Sequence, residues 1–112
     1  MDTLFTKIIN KEIPAAISYE DDHSLVFKDI NPQAPTHLLI IPKKPIPKLS
    51  DATKSDKELL GHLMWVAGEI SRDLELDETF RLVTNNGAKA GQSVFHLHLH
   101  LLSGRPLQWP PG

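Results

Sequence analysis

Residues 96–102 of this chain read HLHLHLL, with histidines at 96, 98 and 100 separated by leucines. Side chains along a β-strand point alternately to opposite faces, so one strand would place all three imidazoles on one face and the leucines on the other. We therefore predict a strand from Val94 to Leu102 whose leucine face packs into the core. Three imidazoles are poorly suited to a core, so the other face is a candidate functional site.

Other segments predict the rest of a sheet. Thr36 to Ile41 is almost continuously apolar and flanked by prolines, which indicates a strand near the centre of the sheet. Ala16 to Tyr19 and Ser24 to Lys28 surround a short acidic segment, so we predict a β-hairpin with His23 as a solvated turn residue. Phe80 to Thr84 predicts a further short strand.

Two segments have the spacing of helices. Residues 3–12 predict a short amphipathic helix, which Pro14 ends. The longest helix is predicted from Lys54 to Leu74, with Ser55 and Glu58 as a capping box. Its apolar residues recur at spacings of three and four and predict a core-facing surface. They are Leu59, Leu60, Leu63, Met64, Ala67, Ile70 and Leu74.

Trp65 lies on this helix at about 100° from the near edge of the apolar face, taking about 100° per residue. A large aromatic side chain is costly to leave in water, so Trp65 predicts either a contact with another subunit or a position at the edge of the core. His62 also lies outside the apolar face, and we predict that it is solvated.

The composition limits what kind of protein this chain can be. Its 112 residues suit a single domain spanning 1–112, and its net charge of −2 offers no general attraction for nucleic acid. It has no cysteine, which excludes disulfides and thiolate zinc sites. We find neither a signal peptide nor the roughly 20 apolar residues that a membrane span needs. We expect a soluble, cytoplasmic protein that binds neither membranes nor nucleic acid.

Two kinds of chemistry fit the three histidines. Zn²⁺ could be held by His96 and His98 together with His37 from a neighbouring strand, leaving one position open for water. Alternatively, one imidazole attacks phosphorus while the others bind anionic oxygens or transfer protons. An imidazole with an ordinary pKa near 6.5 is substantially neutral at pH 7 and can attack without a strong base. Its other ring nitrogen needs an acceptor, and we expect a backbone carbonyl there.

The loop before the histidines favours phosphate. Residues 85–93 read NNGAKAGQS, with two glycines whose amides can approach an anion and a serine hydroxyl beside the strand. Zinc-binding histidines usually need an orienting carboxylate, and no acidic residue occurs from Thr79 to the end of the chain. Asp29 could supply a carboxylate from another strand, so the zinc hypothesis is weakened and stays open.

The segment GQSVFHLHLHLL resembles the signature of the histidine triad (HIT) family, in which three histidines alternate with apolar residues. Similarity in KIINKEIPA, DINPQAPTHLLIIPKK, LLGHLM and the terminal WPPG extends over nearly the whole chain. It indicates the HinT-like, nucleotide-binding branch of purine nucleoside phosphoramidases. The resemblance implies an α+β fold with an antiparallel sheet of about five strands, one long and one short helix, and a sheet that continues across a homodimer.

The resemblance also implies an activity: hydrolysis of adenosine 5′-monophosphoramidate and other AMP–amine conjugates to AMP and an amine, with no cofactor or metal. His98 matches the family's nucleophile, which carries the nucleotide in a covalent intermediate. His100, His37 and Ser93 match positions that bind phosphate or assist the leaving group, and His96 completes the triad. A nucleotide-binding or scaffolding protein with incidental hydrolysis is the alternative.

The resemblance further implies which residues bind the nucleotide. Asp29 would hold the ribose hydroxyls beside Ile30, and an apolar slot would take the purine. The slot is Phe5, Ile8, Phe27 and Leu39, and the sugar and phosphate positions are Asn85, Gly91, Gln92, Ser93, Val94, His98 and His100. The carboxyl-terminal tail, about residues 103–112, carries Trp109, which would reach toward the partner subunit's site. The chain departs from the family at Pro45, where relatives often have histidine.

Overall fold

The computed structural model describes residues 2–112, in which two α-helices and five β-strands occur. In chain order they are α1 (Leu4–Ile9), β1 (Ile17–Glu20), β2 (Ser24–Lys28), β3 (Thr36–Pro42), α2 (Lys57–Asp73), β4 (Arg81–Val83) and β5 (Leu99–Ser103). All neighbouring strands are antiparallel, in the order β1-β2-β3-β5-β4. The α+β fold is confirmed, as are the central position of β3 and the β1–β2 hairpin. Neither helix combines the length and the apolar character needed to cross a membrane.

The sheet carries a helix on each face. Because neighbouring residues of a strand point to opposite sides, Leu38 packs toward α2 whereas Leu39 packs toward α1. The α2-side core consists of Val26, Leu38, Ile40, Ile46, Leu63, Val66, Ala67, Ile70, Leu97 and Leu101. The α1-side core consists of Phe5, Ile8, Leu25, Phe27, Leu39 and Ile41. The predicted leucine face therefore lies in the α2-side core.

The prediction of a final strand from Val94 to Leu102 is wrong in its first half. Pairing starts only at Leu99, and residues 92–98 lie outside the ladder. The reason lies in the neighbouring strand, because β3 ends at Pro42, which has no N–H to donate. The backbone N–H of Leu97 donates instead to the carbonyl oxygen of Ile46, 2.7 Å away.

The alternation of histidine and leucine survives without the ladder. The ring centre of Phe5, on α1, lies 6.1 Å from that of His96 and 5.0 Å from that of His98. The ring of His100 follows on β5, 5.0 Å from the ring of His98. Leu97, between the first two histidines, is buried on the opposite side with α2. The three imidazoles thus share the α1 side, although contacts other than strand pairing hold two of them there.

α2 begins later than predicted, and the observed capping box belongs to the turn that leads into it. The capping box uses Thr53 and Asp56 instead of Ser55 and Glu58, and a short 3₁₀ turn precedes the helix. The Asp56 carboxylate accepts the backbone N–H of Thr53 at 2.8 Å and also binds the ammonium group of Lys44. This second partner comes from a distant loop and favours Asp56 over Glu58 as the acidic residue of the capping box.

The buried face of α2 is also rotated from the predicted one. The buried residues are Leu63, Val66, Ala67, Ile70 and Ser71. Met64 and Leu74, which were predicted to face the core, are 58% and 44% exposed. The buried stripe is shifted toward Val66 and Ser71, which lay outside the predicted apolar face. Met64 instead borders an apolar groove that reaches Thr84 at the end of β4.

Packing against the sheet stabilises α2, whose sequence has only a moderate helix propensity. Gly61 and Gly68 each cost about 1 kcal/mol relative to alanine in a helix interior. Burial of Leu63, Val66 and Ile70, each at most 2% exposed, contributes about 1.5–3 kcal/mol per side chain. The apolar contacts with the sheet therefore outweigh the glycines.

Contrary to the prediction of a solvated residue, His62 has two side-chain partners within the protein. Its Nε2 lies 2.7 Å from Oδ2 of Asp21, and its ring stacks on Trp65 with 6.0 Å between ring centres. Trp65 is 54% exposed, so the edge-of-core interpretation is wrong and the subunit contact stays a prediction. His23 is exposed in the hairpin turn, as predicted.

Asp21 is the polar junction between the β1–β2 turn and α2. Its carboxylate accepts the backbone N–H groups of His23 and Ser24 at 2.8 and 2.7 Å. It also accepts the hydroxyl of Tyr19 at 2.8 Å, in addition to its contact with His62. Burial alone would raise the pKa of Asp21, but these hydrogen bonds outweigh burial and hold its pKa well below the usual range.

We expect Asp21→Asn to lower the free energy of unfolding at pH 7 by about 1–3 kcal/mol, because an amide retains one acceptor oxygen and turns N–H groups toward its other donors. The carboxylate stabilises the fold fully above its unfolded-state pKa of about 3.9, and this contribution is lost as the pH falls through the lower folded-state pKa. Urea unfolding at about pH 7 and pH 3 should show the difference between variant and wild type shrinking in acid. Asp22→Asn, exposed in the same turn, is the control and should be neutral. Equal stability of Asp21→Asn and wild type at pH 7 would contradict this role.

Candidate active site

A cleft of about 360 Å³ opens on the α1 side of the sheet, beside the histidines. It brings together the predicted apolar slot, the predicted ribose-binding carboxylate and two of the three triad histidines. The predicted site residues that line it are Phe5, Ile8, Phe27, Asp29, Ile30, Leu39, Ser93, Val94, His98 and His100. Residues that lie far apart in the sequence therefore form one concave surface with an apolar wall and a polar end.

Five lining residues were not predicted: Leu4, Ile13, Pro14, Ala15 and Lys28. Sequence reasoning treated Pro14 only as the end of a helix and Lys28 only as the end of a strand. The chain after α1 turns back along the cleft, and this path depends on tertiary contacts that no local pattern reports.

His98 offers a nitrogen lone pair in this cleft. Its Nδ1 lies 2.7 Å from the backbone carbonyl oxygen of His96, which can only accept, so Nδ1 carries the proton and Nε2 the lone pair. This carbonyl is the predicted acceptor. Burial lowers the pKa of His98, against the opposing effects of that hydrogen bond and of the Asp29 carboxylate. The ring is therefore neutral at pH 7 and able to attack an electrophile.

His100 has the opposite tautomer, which a chain of hydrogen bonds sets. The backbone N–H of Gln33 donates to Nδ1 of His37 at 3.0 Å, so neutral His37 carries its proton on Nε2. That Nε2 lies 2.9 Å from Nδ1 of His100, which must then accept. Nε2 of His100 is left as a donor in the cleft. Burial, with the nearby His98 and His37, lowers the pKa of His100 to about 4.

Asp29 completes this polar end of the cleft. Its Oδ2 lies 3.4 Å from Nε2 of His37, and its Oδ1 accepts the backbone N–H of Asn31 at 2.8 Å. The negative charge of Asp29 acts against the lowered pKa values of His98 and His100. The carboxylate therefore keeps both imidazoles easier to protonate than burial alone would allow.

These side chains do not suit a metal ion well. Potential ligand atoms of Asp29, His37 and His100 lie within 4.8 Å of one another. Ligation by Nε2 of His37 would require that atom to lose its proton, yet Nδ1 already accepts from Gln33 and cannot take the proton without losing this bond. The ligands predicted for zinc are also wrong. Among the described residues, His96, His98 and His37 do not come together as a group that could hold a metal ion.

His96 does not line the cleft, contrary to the prediction of one shared groove. It is 1% exposed, and its Nε2 donates to the carbonyl oxygen of Pro42 at 2.7 Å. Its Nδ1 is buried without a hydrogen-bond partner in the described part of the chain. Burial lowers the pKa of His96 and keeps its ring neutral. The side chain is held by the protein and is out of reach of a ligand in the cleft.

The loop before the triad is folded around Gln92, which is 4% exposed. Its Oε1 accepts the backbone N–H of Gly87 at 2.8 Å, and its Nε2 donates to the carbonyl oxygens of Pro47 at 2.8 Å and Val94 at 3.0 Å. Gly87 and Gly91 have φ values of 97° and 105°, a region that favours glycine. The Gln92 side chain therefore braces the loop from within.

The remaining predicted site residues lie outside the surface of the cleft. His37 stands behind His100 in the hydrogen-bonded chain. Asn85 and Gly91 lie in the loop before the triad, where a Cβ atom placed on Gly91 would lie 3.5 Å from Nδ2 of Asn85. Trp109 is 82% exposed in the tail, and β5 extends the sheet to Ser103 at the start of the predicted tail.

Thr84 is a supporting residue that sequence reasoning missed. Its hydroxyl donates to the backbone carbonyl oxygen of His98 at 3.0 Å. This bond fixes the peptide that follows the candidate nucleophile. A threonine at the end of a short strand carries no local signal for such a contact.

Comparison with known proteins gives a family match over most of the chain. The HIT domain family model matches residues 10–107. An uncharacterized HIT-like protein of Synechocystis sp. is 65% identical over 111 residues, which cover 99% of this chain and 97% of that protein.

Solved structures give the same result. A HIT family hydrolase from Legionella pneumophila Philadelphia 1 superposes with a TM-score of 0.96 at 49% identity, covering 99% of this chain and 100% of that one. A histidine triad nucleotide-binding protein from Candida albicans superposes with a TM-score of 0.83 at 33% identity, covering 97% of this chain and 83% of that one. With its sequence, sheet and histidine cluster all in agreement, the chain belongs to the histidine triad family.

Proposed function

We propose that this protein is a nucleotide-binding hydrolase, a purine nucleoside phosphoramidase that cleaves the P–N bond of adenosine 5′-monophosphoramidate and other AMP–amine conjugates, releasing AMP and an amine. One observation carries the proposal: a neutral His98, with its lone pair on Nε2, lines a cleft beside a His100 that keeps a donor on Nε2. The hydrolase and nucleotide-binding names of the Legionella and Candida proteins support the same class of activity.

In the proposed reaction His98 Nε2 attacks the α-phosphorus. A bond forms between that nitrogen and phosphorus, and the P–N bond of the substrate breaks with its electron pair going to the departing amine, which takes up a proton. Water then attacks the phosphorus, the His98 nitrogen leaves, and one proton returns to solution. The nucleophile needs no external base, because His98 is already neutral and the His96 carbonyl stabilises the charge that develops on its ring.

His100 and Ser93 are assigned to the phosphoryl group and the leaving amine. Both line the cleft together with His98. In the free protein His100 is a neutral donor, and its Nε2–H can bind a phosphoryl oxygen. Nδ1 of His100 is occupied by the hydrogen bond from His37, so His100 stays a neutral donor and binds the phosphoryl group through Nε2–H. The Ser93 hydroxyl is then assigned to the departing amine.

The other end of the cleft suits a purine nucleoside. Phe5, Ile8, Phe27 and Leu39 provide an apolar wall, and Asp29 lines the same cleft together with His98 and His100. A carboxylate at that point can accept hydrogen bonds from both ribose hydroxyls. The apolar base, the sugar hydroxyls and the anionic phosphate of a nucleoside phosphoramidate thus each have a suitable partner in the cleft: the apolar wall, Asp29 and the imidazoles.

Short-time trapping tests this function. Wild-type protein quenched shortly after mixing with an AMP–amine conjugate should carry AMP on His98, located by mass spectrometry of its fragments. Release of AMP with no labelled histidine at any quench time would contradict a covalent intermediate.

We also propose that the protein is a homodimer. β4 is an edge strand with one side unpaired among residues 2–112, and the apolar groove beside it is open to solvent. The groove is lined by Leu49, Leu60, Leu63, Met64, Thr84, Leu97 and Leu99. A second copy placed by a two-fold axis would pair β4 with its own equivalent and cover both grooves, because such an interface is self-complementary.

Met64→Asp should convert the dimer to a monomer, because it puts a charge in the centre of the covered groove. Light scattering after gel filtration gives the mass of each form. Leu74→Asp introduces the same charge at an exposed position away from the groove and should stay dimeric. A monomeric wild type, or a dimeric Met64→Asp variant, would count against this interface.

A further inference from the structure

The loop before the triad contains a pair of residues that is chemically unstable in an unfolded chain. Asn86 is followed by Gly87, and this is the only Asn–Gly pair in the sequence. The side-chain amide carbon of an asparagine can be attacked by the backbone nitrogen of the next residue, and glycine puts no side chain in the way. The other asparagines precede lysine, proline or asparagine: Asn10, Asn31 and Asn85. Asn86 should therefore react first of the four when the chain is unfolded.

In the folded protein both reacting groups are held by hydrogen bonds. The backbone N–H of Gly87, whose nitrogen is the nucleophile, donates to Oε1 of Gln92 at 2.8 Å. The side-chain amide of Asn86, which is the electrophile, accepts the backbone N–H of Ser50 at 2.8 Å through its Oδ1. Attack needs a Gly87 nitrogen that has lost its proton and an Asn86 side chain that is free to turn toward it. Each of the two bonds therefore opposes the reaction.

The stronger of these restraints is the bond to Gln92. Asn86 is exposed, so water reaches its side chain and burial gives it no protection. Gln92 is 4% exposed, and its Nε2 is fixed by the carbonyl oxygens of Pro47 and Val94. The acceptor of the Gly87 N–H is therefore held from two further sides. The Gly87 nitrogen becomes available only when this part of the loop opens.

We propose that Asn86 is a site of spontaneous deamidation in the active-site loop and that Gln92 delays this modification. When the loop opens, the Gly87 nitrogen loses its proton and bonds to the side-chain carbon of Asn86. The bond from that carbon to the amide nitrogen breaks, and the nitrogen takes up a proton and leaves as ammonia. Water then opens the resulting cyclic imide to aspartate or to isoaspartate. Isoaspartate continues the chain through its side-chain carbon, which adds one backbone atom before Gly87.

The added backbone atom has a consequence for the cleft. It displaces the Gly87 N–H from Gln92, the side chain that also holds Val94. Ser93, which lies between Gln92 and Val94, lines the cleft. We expect the isoaspartyl form to have a lower kcat, and this kinetic consequence rests on the proposed function. The modification itself can be measured without any turnover.

Peptide mass spectrometry of wild-type protein kept in mildly alkaline buffer tests the site. In concentrated urea Asn86 should be modified faster than each of the other three asparagines, which serve as internal controls. In the folded protein modification of Asn86 should be at least about tenfold slower than in urea, because it waits for the loop to open. Faster modification of another asparagine in urea would overturn the site. Equal rates at Asn86 with and without urea would overturn the protection.

Gln92→Met tests the role of Gln92. Methionine is similar in size but offers no comparable acceptor to the Gly87 N–H, so the folded variant should deamidate at Asn86 at least about fivefold faster than wild type. Gln108→Met, at an exposed position in the tail, is the matched control and should keep the wild-type rate. A folded Gln92→Met protein with the wild-type rate would overturn this role. If the variant does not fold, hydrogen exchange of the Gly87 N–H in wild type decides, because an unprotected amide contradicts the bond.

Ion-exchange chromatography can separate the isoaspartyl form of wild type from the unmodified form for kinetics. Its kcat should be lower on the order of tenfold. Asn86→Asp keeps the normal backbone and an acceptor for Ser50, so it should stay within about threefold of wild-type kcat. An isoaspartyl form with full turnover would overturn the consequence for the cleft. Fresh wild type that hydrolyses no AMP–amine conjugate would instead refute the proposed function, and the mass spectrometry would still test the modification.

Discussion

His98→Ala should abolish hydrolysis of an AMP–amine conjugate, with a loss in kcat on the order of 10³-fold or more. The reason is that the variant removes the only atom proposed to bond to phosphorus, while the apolar wall and Asp29, which are proposed to bind the nucleoside, remain. AMP should therefore still bind, as isothermal titration can show, with an affinity close to that of wild type. Loss of turnover with binding retained is the signature of a missing nucleophile.

A matched control distinguishes loss of the nucleophile from the loss of any one histidine side chain. His23→Ala removes a histidine that is exposed in the hairpin turn, and it should retain full activity. Thermal unfolding of His98→Ala is needed as well, because the His98 ring packs edge-to-face on Phe5 at 5.0 Å and its removal lowers stability. A folded His98→Ala protein with wild-type turnover would rule out His98 as the nucleophile.

The second large effect is expected at Phe5. Phe5→Ala should lower the free energy of unfolding by about 3–5 kcal/mol, because it empties a site that is 4% exposed. α1 has six residues and is too short to be stable by itself, so it depends on Phe5 and Ile8 to hold it on the sheet. The Phe5 ring also contacts Phe27 edge-to-face at 5.4 Å and forms part of the wall of the cleft.

Denaturant unfolding and steady-state kinetics report the two consequences of Phe5→Ala separately. KM for the nucleoside phosphoramidate should rise along with the loss of stability, because the purine loses an aromatic wall. Phe5→Leu retains most of the buried volume and should lose less stability, while still raising KM. If both variants keep the KM of wild type, the purine does not bind against Phe5. A stability loss below about 1 kcal/mol in Phe5→Ala would show that α1 is not anchored through this residue.

The elements that follow from local pattern were predictable from the sequence. Thr36 to Ile41 has an apolar run between prolines, and such a run has few alternatives to a buried strand. The hairpin around His23 likewise follows from turn residues between two short apolar segments. The leucine side of residues 96–102 was assigned correctly because alternation requires only an extended backbone.

The parts that could not be predicted depend on partners distant in the chain. The alternation at His96 and His98 is the same whether or not a neighbouring strand continues, and the ladder stops because Pro42 lies opposite. Ser55 with Glu58 and Thr53 with Asp56 both fit a capping box, and Lys44 favours the second pair only in the folded chain. His96 is separated from His98 and His100 by the same kind of long-range contact.

The hydrogen bond from Gln33 to His37 determines which ring nitrogens of His37 and His100 carry protons. The donor is a main-chain N–H, so every residue except proline can supply it at position 33 whatever its side chain. Natural variation at Gln33 should therefore leave the orientation of the protons on His37 and His100 untouched, with proline as the one excluded residue. Position 33 would then fix the tautomers of two active-site histidines through its backbone, although its side chain can vary. A comparison of side chains alone would overlook this role.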